Sequence, residues 1–227
     1  MSLTVSTVPA PHLVNLIKTA GVSLEKHGLT GQQAAVYLVL DHSGSMEPYY
    51  RSGDVQRLAE QALGLSANLD DDGTVPMLMF GSDAGYVVDL DLTDYAGTVE
   101  NHHRWTHWGS TNYADAMRTV VAHYTTTGAT APALVIFQTD GEPDSRRDAE
   151  HILRESSGLP IFWAFVGFGG RVSFLEQLDT LANRVVDNAS FFHASNPRAV
   201  SDAELYDGIT SEFAQWLPAA RRVGVIS

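Results

Sequence analysis

The stretch Val36-Tyr37-Leu38-Val39-Leu40-Asp41-His42-Ser43-Gly44-Ser45-Met46 changes character at its midpoint. Its first five residues are apolar without a break, the pattern of a strand buried on both faces of a parallel sheet. It then passes into an acid, two serines and a glycine, which are residues of a strand-end turn or a helix cap. Beyond it, Val55, Leu58, Ala62, Leu65 and Leu69 alternate steps of three and four, so an amphipathic helix follows and lies against the sheet.

The alternation continues along the chain. Residues 77–80 and 86–88 predict two strands of a hairpin joined across residues 81–85. Tyr113, Met117, Val120, Val121 and Tyr124 mark a helix, residues 134–137 a second buried strand, and Ala149, Ile152 and Leu153 the start of another helix. Residues 161–166 form a third buried strand. Phe174, Leu175, Leu178, Leu181 and Ala182 follow on a helix for which Ser173 is the expected N-cap. A strand at residues 189–193 and a helix through Leu205, Ile209, Phe213 and Trp216 come last. Ahead of the first strand, Leu13, Leu16, Ile17, Ala20 and Leu24 mark a short helix closed by Gly28. The expected fold is α/β, doubly wound and Rossmann-like, with a mostly parallel central sheet and helices on both faces. Residues 1–30 read as an N-terminal extension with its short helix, and residues 31–227 as one domain.

A chain of 227 residues is long enough to bury a full core without staples. It has no cysteine, which excludes disulfides, thiolate metal sites and cysteine nucleophiles. Lys and Arg number 14 against 27 Asp and Glu, a formal net charge of −13. That balance argues against nucleic acid and anionic lipid and favours a divalent cation or a basic partner. Residues 1–11 lack the features of a secretory signal, and no window approaches the roughly 18 apolar residues that span a bilayer. A soluble, cytoplasmic protein without membrane insertion is expected, and the sequon at Asn188-Ala189-Ser190 is read as chance.

In an open doubly wound sheet, ligands sit at the carboxyl ends of strands where strand order reverses. If the strands ending near Leu40 and Phe137 are neighbours there, Asp41 and Asp140 face each other over one crevice. Carboxylates and hydroxyls together make a hard, oxygen-only site suited to magnesium or manganese. The alternative for each residue alone is an ordinary strand-end turn or helix cap.

Asp41-x-Ser43-x-Ser45, then Thr111 within Gly109-Ser110-Thr111-Asn112, then Asp140-Gly141, resembles the metal-ion-dependent adhesion site of von Willebrand factor type A domains. The resemblance spans residues 35–217. It implies that Ser43, Ser45 and Thr111 coordinate a cation through hydroxyls, with Asp41 and Asp140 binding directly or through water. The implied ion is Mg2+ or Mn2+, with Ca2+ as an alternative, and the open coordination position would take an Asp or Glu from a protein partner. Ala20-Gly21-Val22-Ser23-Leu24-Glu25-Lys26 leading into Val36-Tyr37-Leu38-Val39-Leu40-Asp41 is similar to the bacterial toxic-cation (tellurium) resistance group of these proteins. That implies a cytosolic stress-response association.

Around this site, His102, His103, Arg104, Trp105, His107 and Trp108 precede Gly109. They are either a partner-binding rim or a half-buried loop, and an imidazole-based second metal site is a third alternative. Glu142 and Asp144 are either rim carboxylates or, respectively, a solvated acid and the cap of the helix starting near Ser145. Phe162, Trp163, Phe165 and Phe168 read as core. Gly167, Gly169 and Gly170 do not match a dinucleotide fingerprint. With no base, nucleophile or phosphate loop in view, the chain reads as a metal-dependent protein-interaction module rather than an enzyme. A metal-assisted phosphohydrolase is the enzymatic alternative, although only Arg104, Arg146 and Arg147 lie where they could meet a phosphate. Cation buffering or sensing is a third class.

Overall fold

The computed structural model describes residues 10–70 and 72–226; residues 1–9, where no export signal is expected, lie outside them. The apolar runs form β1 (Ala35–Asp41), β2 (Thr74–Phe80), β4 (Ala133–Thr139), β5 (Ile161–Phe168) and β6 (Ala189–Ala194), with a short β3 (Val88–Asp91). The sheet order is β3-β2-β1-β4-β5-β6, and every pair is parallel except β2 with β3. The helices are α1 (Pro11–Lys26), α2 (Glu47–Ser52), α3 (Asp54–Leu69), α4 (Thr98–Trp105), α5 (Tyr113–Thr127), α6 (Arg146–Ser156), α7 (Ser173–Asp179) and α8 (Asp202–Arg222).

The uninterrupted apolar runs are explained by two cores, because alternate side chains of a strand point to opposite faces. Val36, Leu38 and Leu40 enter the core shared with α1, α3 and α8, while Tyr37 and Val39 enter the one shared with α5, α6 and α7. Leu134 and Ile136 on β4 and Phe162 and Ala164 on β5 join the first core; Val135, Phe137, Trp163 and Phe165 join the second. Helix α1 is seated on the body through Leu13, Leu16, Ala20 and Leu24. Its approach to α3 depends on Gly64, where a Cβ would stand 2.8 Å from Leu16 Cβ and 2.7 Å from the Tyr206 hydroxyl. No helix among the described residues is long and apolar enough to cross a membrane.

Four local expectations are corrected. The second hairpin strand starts at Val88 rather than Tyr86, and the residues after β2 are instead bonded to the start of α5: Asn112 N donates to the Gly81 carbonyl (2.9 Å), and Ala84 N donates to Asp115 (2.8 Å). Residues 98–105 are helical rather than a loop, entered through Gly97 at φ 89° and bearing basic residues in the last turn, where they suit the helix dipole. Helix α7 ends at Asp179, before Leu181 and Ala182, and its N-cap is Val172; Ser173 is its first residue. Helix α6 is capped by Ser145, whose hydroxyl accepts from Asp148 N, so Asp144 is left for another role.

Candidate metal centre

Chain order places the crevice. From β1 the chain moves outward to β2 and β3, then returns to lay β4 against the other side of β1, so strand order reverses between β1 and β4. Asp41 ends β1, and Asp140 follows the last residue of β4, with Leu40 paired to Gln138 just below. The two acids therefore reach the same end of adjacent strands.

Asp41 is fully buried. One of its oxygens accepts from Ser43 N (2.7 Å) and the other from the Thr139 hydroxyl (2.5 Å), so both oxygens are held. Ser43 and Ser45 hydroxyls lie 3.2 Å apart, and Ser45 Oγ donates to Asp140 (2.7 Å). Burial pushes Asp41 up to about 6, against the hydrogen bonds from Thr139 and Ser43 that lower it. Asp140, half-buried, is also raised by burial and partly restored by Ser45. Among the described residues neither carboxylate has a Lys, Arg or His ion-pair partner. Buried carboxylates without a cation are costly unless a metal ion takes that place. The donor set fits one hard divalent ion, with Asp41, Ser43, Ser45 and Asp140 available to it. The Thr111 hydroxyl makes no hydrogen bond among the described residues and stands on the third loop of the site.

That third loop is zipped onto the first. Ser43 and Gly109 form a parallel bridge, Gly109 N donates to the His42 carbonyl (3.1 Å), and Gly44 N donates to the Gly109 carbonyl (3.3 Å). Gly109 is required here, since a Cβ would lie 2.3 Å from Ser82 N. Asp144 holds the other side of Thr111: its carboxylate accepts from Thr111 N (3.1 Å) and the Ser110 hydroxyl (2.6 Å). Tyr113, buried, donates to the Gly141 carbonyl and so ties this loop to that of Asp140. Thr139 and Tyr113 were not singled out as site residues from sequence, and Asp144 only as a rim carboxylate or a helix cap. Their only signal is adjacency to Asp140 and Thr111.

The residues of the expected rim divide. His42, between two of the predicted ligands, is fully buried and stacks on Trp108 with ring centres 4.0 Å apart. Its Nδ1 faces the His107 carbonyl (3.3 Å) and carries the proton, so its Nε2 accepts from His103 Nδ1 (2.9 Å). Burial, then the nearby His103, pushes His42 down to about 4, and the ring is neutral at pH 7. His103 also stacks on Tyr50, whose hydroxyl donates to the Asp41 carbonyl (3.1 Å). Trp105 is 87% exposed, His107 is exposed, and His102 meets the exposed ring of Tyr86. Arg104 is paired to Glu100 (2.9 Å). Glu142 turns toward α7, pairing with Arg146 (2.9 Å) and accepting from Ser173 Oγ and Phe174 N. No three His, Asp or Glu side chains converge on a metal position among the described residues, so the imidazole-based second site is not formed.

The fold, the strand-end carboxylates and the hydroxyl pair are joined by a match to the profile of the von Willebrand factor type A domain found in the TerF carboxyl terminus, over residues 33–226. The chain belongs to this TerF-like type A family. Its similarity to the uncharacterized protein YcbR of Bacillus subtilis (strain 168) is 35% identity over 215 residues, covering 92% of this chain and 88% of that one. Among solved structures, the von Willebrand factor type A protein from Catenulispora acidiphila superposes with a TM-score of 0.58 at 17% identity. That match covers 79% of this chain but only 42% of the other. The manganese-loaded TRAP protein of Plasmodium vivax superposes with a TM-score of 0.53 at 22% identity, over 78% and 74% of the two chains. At such identities the likeness is one of fold.

Proposed function

We propose that this TerF-like type A domain is a divalent-cation-dependent protein-binding module. Asp41, Ser43, Ser45, Thr111 and Asp140 hold one Mg2+ or Mn2+, and a carboxylate of a protein partner completes the ion's coordination. The observation that carries this reading is the pair of crevice carboxylates, one buried and one half-buried, linked through Ser43 N, the Ser43–Ser45 hydroxyl pair and Ser45 Oγ, and paired to no cationic side chain. Because hydroxyls rather than further carboxylates complete the donor set, the bound ion keeps much of its charge for an incoming acid. The manganese in the Plasmodium vivax relative of this fold supports the choice of ion. The family name supports a place in tellurium or other toxic-cation stress.

The phosphohydrolase alternative is disfavoured by its scarcity of free cations. Phosphoryl transfer recruits Lys or Arg to the developing charge, and of the three candidate arginines Arg104 and Arg146 are each committed to a glutamate, which leaves only Arg147 without an ion pair among the described residues. The test is calorimetric titration of Mn2+ into chelator-treated protein. One ion should bind to the wild type and none to Asp41→Ala or Ser43→Ala. No binding, or binding unchanged in both variants, refutes the reading, and many weak ions would support a buffer instead.

A further inference from the structure

Among the described residues, the large hydrophobic side chains left exposed are Val22, Tyr86, Trp105, Trp108, Val185 and Val223. All three aromatics of that group belong to one flank of the metal centre. Trp105 ends α4, Tyr86 meets His102 of α4 with ring centres 5.5 Å apart, and Trp108 lies on His42, the residue between Asp41 and Ser43. Isolated exposed side chains need no explanation, but aromatics gathered beside a crevice have the composition of a binding hot spot.

The charge of this flank differs from that of the rest of the molecule. Residues 101–112 contain no Asp or Glu, although the chain as a whole carries −13. They contain three histidines, none with a carboxylate partner among the described residues, and Arg104. The carboxylates nearest this flank are already engaged, Glu100 by Arg104 and Asp144 by the Ser110 hydroxyl and Thr111 N, so they oppose an incoming acid less than free ones would. The flank is also held in place: the His103 to His42 hydrogen bond, the His42–Trp108 stack and the His103–Tyr50 stack join α4 to the loop that carries Ser43. A surface ordered in advance binds with less loss of conformational freedom.

We infer that the partner segment carries its metal-binding Asp or Glu next to apolar side chains, which lie on Tyr86, Trp105 and Trp108. This rests on the cation-dependent reading above and specifies what that site recognises. Affinity then has two separable parts: the ion takes the carboxylate, and the aromatic flank selects its neighbours.

The experiment uses the full chain in excess Mn2+ and a displayed library of short random peptides with one fixed Asp. The wild type should enrich peptides with Phe, Leu or Trp beside the Asp. Trp105→Ser and Tyr86→Ser should lose that preference and bind the selected peptides roughly 10-fold or more weakly, with Mn2+ affinity by calorimetry unchanged. Enrichment of Asp peptides with no apolar preference, or equal affinity in both variants, overturns this inference and leaves the metal-dependent reading intact. Failure to select any Asp peptide in a Mn2+-dependent way overturns both. A concentration-dependent dimer in sedimentation that Trp105→Ser abolishes would assign the flank to a second copy of the chain and also overturn the inference.

Discussion

Asp41→Asn should stabilise the metal-free protein and at the same time abolish its response to metal. The substitution keeps the shape of the side chain. Its carbonyl can still accept from Ser43 N, and its amide can donate to Thr139 Oγ1, which then turns its own proton toward the nearby Gly141 carbonyl. What it removes is a carboxylate that burial raises from 3.8 to about 6. A carboxyl raised on folding binds its proton more tightly in the folded state, so its stabilising contribution is present below the unfolded value and is lost as pH rises through the folded one. Between about pH 4 and 6 the wild type without metal should therefore lose stability as pH rises. The span of about two pH units corresponds to at most about 3 kcal/mol at pH 7. For a chain of this size that is roughly 6–12 °C in Tm. Differential scanning calorimetry in chelator should show Asp41→Asn melting higher than wild type at pH 7, with the gap closing toward pH 4. In saturating Mn2+ the wild type should rise, by about 2.7 kcal/mol at a hundred times Kd, and the variant should not. A variant that melts below wild type in chelator at pH 7, or a gap independent of pH, would refute the assignment of Asp41 as a desolvated, unpaired carboxylate.

Thr139→Val removes the hydroxyl that orients Asp41 while keeping the shape, so Mn2+ affinity should fall about 10- to 100-fold in calorimetry, as for other residues that position a metal ligand; unchanged affinity would show that Asp41 needs no such support. Gly109→Ala forces a Cβ into Ser82 N, so the loop of Thr111 must part from Gly81 and Ser82. It should lower stability by about 1–3 kcal/mol and weaken Mn2+ binding, and a variant matching wild type in both denaturation and titration would contradict the close approach.

Much of the site was legible because its signal is local. Asp41, Ser43 and Ser45 lie within five residues, and each apolar run before a strand-end acid announces where the chain turns out of the sheet. The roles of Thr139 and Asp144 were not legible. A threonine inside a buried strand and an acid before a helix look the same in sequence whether they orient a ligand or only satisfy the backbone. The run from His102 to Trp108 shows the same limit more sharply. Its composition marked it as unusual, but whether these residues point into the body or into solvent depends on helix phase. Residues 98–105 form a helix, so His103 faces His42 while Trp105 faces water.

The unbroken apolar runs and the 3.6-residue periodicity between them are enough to establish the alternation of strands and helices, and with it the doubly wound sheet. The order of strand-end acids and hydroxyls is enough to mark the candidate metal site, because each residue type is tied to a loop that the pattern already locates. Pairing across the sheet is another matter. That β4 returns to lie beside β1, that Gly109 closes on Ser82, and that the exposed aromatics gather on one side of the metal centre all arise from contacts between residues far apart in the chain. Such contacts depend on side-chain volume and direction in three dimensions, which no local pattern encodes.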